Sequence, residues 1–73
     1  MNELAMRNFE DAIKEKPIFD EEKKDLIYNL GMVLEKMGKR EDAVKRYEEI
    51  YGQDITYRDV AAKVDAFYGN QSS

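Results

Sequence analysis

The nearest approach to a catalytic constellation in this chain is two pairs of adjacent carboxylates, Glu21-Glu22 and Glu48-Glu49. Paired carboxylates do general acid–base work when both face one site and their pKa values are pushed apart. Neighbours on a helix point about 100° apart, so these pairs share no site and read as solvated surface. The chain has no His and no Cys. That removes Ser-His-Asp and Cys-His nucleophile sets, and it leaves a conventional zinc site without its usual ligands. Gly31, Gly38, Gly52 and Gly69 are too scattered to cradle a phosphate. The acidic spacing of a calcium loop is missing. The residues predict no catalytic, metal or cofactor site, and a chain that is not an enzyme.

The composition narrows the partners. Of the 73 residues, 38% are charged and the net charge is −4. The longest basic cluster, Lys39-Arg40, runs straight into Glu41-Asp42. Nucleic-acid binding needs a basic patch, so it is not expected. No apolar run approaches the ~20 residues of a membrane helix. Glu3, Arg7 and Glu10 interrupt any signal-peptide core. These two absences favour the cytoplasm.

The elements that would position any site are helical. The first is expected over 3–16, with Asn2 as N-cap, Pro17 as stop, and Leu4, Ala5, Phe9, Ala12 and Ile13 as its apolar stripe. The second, over 21–37, is capped by Asp20 and ended by Gly38 in the left-handed conformation. Its middle, 26–34, is apolar on nearly all sides except at Asn29, which predicts a central, buried helix. The third covers 40–51, with Ala43, Val44, Tyr47 and Ile50 inward and Gly52 closing it. The fourth covers 57–68 behind Thr56-x-x-Asp59, which nearly has the form of a capping box. Its stripe is Val60, Ala61, Val64, Phe67 and Tyr68. Residues 70–73 read as a disordered tail. No segment demands a strand.

The chain also repeats itself. The stretch 5–19 lies over 43–57 without a gap, at an offset of 38 residues. Ala5 falls on Ala43, Phe9 on Tyr47, Glu10 on Glu48 and Phe19 on Tyr57. A repeat of this length means stacked units and turns attention from a reaction towards a surface.

These residues resemble the tetratricopeptide repeat, a helix-turn-helix of about 34 residues with W-x2-L-G-x2-Y, then A-x3-F, then P. Here Leu30-Gly31-x2-Leu34 is followed by Gly38, Ala43-x3-Tyr47 and Ile50. Ile27 stands in place of the common Trp, Leu34 of the Tyr and Ile55 of the Pro. Ala5-x3-Phe9-x2-Ala12-x4-Pro17 matches the second helix of a preceding unit. The offset exceeds the usual period by about four, placed at Asp20 to Lys23. The resemblance implies an all-α, antiparallel array with right-handed superhelical character. Its parts are a half repeat over 1–19, a full repeat over 24–57 and a capping helix over 57–68, within one domain over 1–69. The chain then begins in mid-unit, as the C-terminal part of a longer array or as a short array covering its open face on another chain.

The resemblance implies a non-catalytic scaffold or adaptor that binds a peptide or protein segment in a concave groove. The groove would present Asp25, Tyr28, Asn29, Met32, Glu35 and Lys36 from the second helix, and Asp59, Ala62, Lys63 and Ala66 from the fourth. Tyr28 and Met32 lie one turn apart and either contact a partner or cover the core. Some family members clamp a C-terminal carboxylate, and here only Asn29 and Lys63 sit comparably. Asp25 and Asp59 would repel such a group. Gly31 and Ala43 are expected to let neighbouring helices approach closely. The alternative is self-association into a homodimer, by exchange of a terminal helix or through Leu4, Phe9 and Ile13 or Phe67 and Tyr68.

Overall fold

Asp20, Gly38 and Asp54 divide the chain where their chemistry requires it. The computed structural model describes residues 1–71, with side chains up to Gly69. Among the described residues there are four α-helices and no strand: α1 (Asn2–Glu15), α2 (Glu21–Lys36), α3 (Arg40–Gln53) and α4 (Val60–Gln71). Lys16, ahead of Pro17, is extended at φ −97° and ψ 111°, the region a residue before proline prefers. Asp20 accepts the Lys23 backbone N–H at 2.9 Å and caps α2. Gly38 takes φ +79°. Lys39 N–H then reaches back to the Leu34 carbonyl at 2.9 Å, closing the left-handed helix end that glycine makes cheap.

Six helix ends differ from expectation, those of α1 and α2 by a single residue. Asn2 lies inside α1, whose N-cap is Met1 without a side-chain bond, because Ala5 N–H already bonds the Met1 carbonyl at 3.1 Å. Gly52 does not close α3, which runs on to Gln53 and ends at extended Asp54. The Thr56 capping box does not form, and α4 starts at Val60 rather than 57. Thr56 gives its hydroxyl to Asp54 Oδ1 at 2.6 Å and its N–H to the same oxygen at 3.1 Å. Arg58 then adopts φ +41°, which no helix can include. At the other end α4 continues to Gln71, shortening the expected tail. Ser72 and Ser73 lie outside the described residues.

The helices pack in chain order: α1 on α2, α2 on α3, α3 on α4. The Cα trace measures 38 × 28 × 14 Å, so the array is thin in one direction. Ile27, Leu30, Tyr47, Ile50 and Val60 are almost fully buried between helices. The tight α2–α3 approach depends on Gly31, where a Cβ would stand 2.5 Å from Tyr47 Cε1. Ala43 of α3 is 1% exposed. Contrary to expectation, helix α2 is not buried all round: Ile27, Tyr28, Leu30, Gly31 and Leu34 are buried, while Asn29 and Met32 in the same stretch remain exposed. Of the α1 stripe only Ile13 is buried, because α1 has a helix on one side alone. Among the described residues no helix is long and apolar enough to cross a membrane.

Candidate functional site

Asp59, just ahead of α4, and Ala62, Lys63, Ala66 and Phe67 of α4 share one face, at the i, i+3, i+4, i+7, i+8 spacing of a helical stripe. Val60 and Val64, on its other side, are buried and anchor it. The two alanines leave room in front of α3. A cleft of about 290 Å³ opens there, between the α4 face, Ala43, Val44 and Tyr47 of α3, Glu35 of α2 and Arg40 at the start of α3.

Its polar groups are arranged from the middle outwards. Tyr47 donates its hydroxyl to Glu35 Oε1 at 2.6 Å, and Lys63 Nζ donates to the same oxygen at 3.0 Å. Burial alone would raise the Glu35 pKa, but these two donors outweigh it and hold the carboxyl below its ordinary range. Burial first, then the bond to Glu35, pushes the Tyr47 hydroxyl far above its ordinary value. Glu35 is therefore a fixed anion and Tyr47 a fixed donor. At one end of the cleft Asp59 Oδ1 accepts the Tyr28 hydroxyl at 2.6 Å. At the other, the Arg40 guanidinium lies 5.7 Å from the Phe67 ring centroid.

Beside the Asp59 end sits an aromatic cluster that fastens the α3–α4 link to α2. Tyr28 meets Tyr47 at 5.6 Å and Tyr57 at 5.9 Å between ring centroids. The Tyr57 hydroxyl donates to Asp25. Arg58 lies over both rings, 4.9 Å from Tyr28 and 5.2 Å from Tyr57, and reaches Asp25 at 3.3 Å. Lys24 joins the start of α2 to Asp54 at 3.0 Å.

The structure brings together Glu35, Asp59, Ala62, Lys63 and Ala66 of the expected groove. Asp25, Asn29, Met32 and Lys36 do not line the cleft. Tyr28 is only 9% exposed and belongs to the core, so it offers its hydroxyl edge and not an open ring. Sequence reasoning missed Arg40, Ala43, Val44 and Tyr47 as cleft walls, and Arg58 as the clasp of the aromatic cluster. The expected self-association residues separate. Ile13 is buried, while Phe9 and Phe67 pack partly against the core. Leu4 is 56% exposed, and Tyr68, 48% exposed, donates to Glu48 at 2.7 Å.

The site can supply shape, an apolar floor and fixed charges of both signs. Among the described residues no cluster of three or more carboxylates is placed to hold a metal ion. No protein-family model, curated protein or solved structure matches the chain.

Proposed function

We propose that this chain is a non-catalytic protein-interaction module of tetratricopeptide type, whose α2–α3–α4 cleft receives a segment of another protein. One observation carries this reading. Ala62 and Ala66 open a trough of about 290 Å³ over the Tyr47 floor, with ionic groups at its rim already held in place. A preformed, partly apolar recess with a few oriented polar groups is the usual form of a docking site.

The test is to pan a random twelve-residue peptide library on the folded chain and map bound peptides by amide chemical shifts. Peptides should perturb Ala62 and Ala66, and Ala66→Arg should abolish their binding with helicity intact. Peptides that survive Ala66→Arg unchanged place docking elsewhere. A library that yields none argues against the module altogether.

A second reading, pairing of two copies, draws support from α1. Its backbone packs on α2, it reaches α3 through the Glu10–Arg46 pair at 4.0 Å, and it leaves Leu4 exposed. Mass by light scattering across a concentration series distinguishes the two, since a dimer dissociated by Leu4→Lys would favour assembly.

A further inference from the structure

The two ends of the cleft carry opposite charges that, among the described residues, have no ion-pair partner within 4.0 Å. Asp59 accepts only the neutral Tyr28 hydroxyl and, among the described residues, has no ammonium or guanidinium within ion-pair reach. Arg40 rests on the Phe67 ring and, among the described residues, has no carboxylate. By contrast Lys63, between them, is matched to Glu35 at 3.0 Å. Asp59 immediately precedes α4, and Phe67, which carries Arg40 on its ring, lies eight positions further along the chain. Between those ends the walls are Ala62, Ala66 and the Tyr47 ring. The recess is therefore a short dipole with an apolar centre.

Resting on the cleft being the docking site, we infer that its partner is a dipolar segment: a cation and a carboxylate flanking an apolar side chain. The cation pairs with Asp59, the apolar group fills the space over Tyr47, and the carboxylate pairs with Arg40. The Glu35–Lys63 pair between them presents a neutral waist, so a segment with one sign of charge throughout meets repulsion at one end. Exposed charges of this kind select partners more than they strengthen binding.

The experiment repeats the library panning on the full chain and on two variants that leave the core untouched. Arg40→Glu reverses one end. Asp59→Asn removes the charge at the other and keeps an acceptor for the Tyr28 hydroxyl. The unaltered chain should select peptides with an acidic and a basic residue on either side of an apolar one. Arg40→Glu should replace the acidic residue with a second basic one and discriminate against the original peptides by about fivefold. Asp59→Asn should lose the preference for the basic residue. If all three proteins select the same peptides, and those perturb the Ala62 and Ala66 amides, the dipolar rule is overturned while the cleft stands. If no selected peptide perturbs those amides, the cleft itself is the wrong site and the dipolar rule falls with it.

Discussion

The missing side chain of Gly31 and the ring of Tyr47 occupy the same space. A Cβ on Gly31 would lie 2.5 Å from Cε1 and 2.7 Å from Cζ of that ring. Tyr47 is 2% exposed and its hydroxyl is tied to Glu35, so the ring has nowhere to go. The α2–α3 seam and the floor of the cleft thus share one residue.

Gly31→Ala should destabilise the chain by about 2 kcal/mol, because overpacking outweighs the up to ~1 kcal/mol that alanine gains in a helix. Gly52→Ala makes the control. Nothing lies within 4 Å of its added Cβ, and Gly52 sits in the last turn of α3. It should stabilise by about 0.5 kcal/mol. Urea unfolding of the two variants checks both signs, and equal effects would contradict the shared-space account.

Arg58 holds a left-handed backbone at φ +41° while its guanidinium covers two tyrosine rings. Its two roles separate by substitution. Arg58→Ala keeps the backbone cost and loses the stacking, for a loss of about 1–2 kcal/mol. Arg58→Gly loses the stacking and relieves the backbone, so it should be the milder by about 1 kcal/mol. Thermal unfolding ranks them, and a milder alanine variant would show that the backbone carries no cost.

Alkali should unfold the chain through its tyrosines. Burial, then the bond to Asp59, pushes Tyr28 up from an ordinary 10.0 to about 12. Tyr57 and Tyr47 move further in the same direction, again by burial first and then by their bonds to Asp25 and Glu35. Above pH 10 the unfolded chain releases protons that the fold retains, which favours unfolding. The tyrosine contribution to stability is therefore whole below pH 10 and falls as pH rises towards 12. Circular dichroism and tyrosinate absorbance should change together, and Tyr28→Phe should make the decline shallower. Tyrosinate forming in full while the helices persist would refute the linkage.

The helices are legible in the sequence where one residue decides a boundary. Asp20 and Gly38 have a single good use each, as cap and as left-handed stop, and the structure uses them so. Thr56 is different because it has rival acceptors, and the one two residues away, Asp54, wins. Local spacing cannot rank such rivals, so the start of α4 is misplaced with it. The α4 side of the cleft is expected from the resemblance, and its residues share a face by helical spacing. The α3 side is not, because Tyr47, Ala43 and Val44 read as core and are core. That a buried ring also floors a recess depends on where α4 stops covering it, a tertiary fact.

The helix backbones approach closely only between neighbours in the chain, with the Lys63–Glu35 and Arg46–Glu10 side-chain pairs reaching one helix further. The α1–α2 pair is complete once Lys36 has been made, and α3 has a finished surface to join as soon as it emerges. No segment waits on a partner from the far end, so the search for native contacts stays short and folding belongs to the fast, local class. During synthesis the chain can acquire its shape helix by helix, and the cleft forms only once α4 has followed α3.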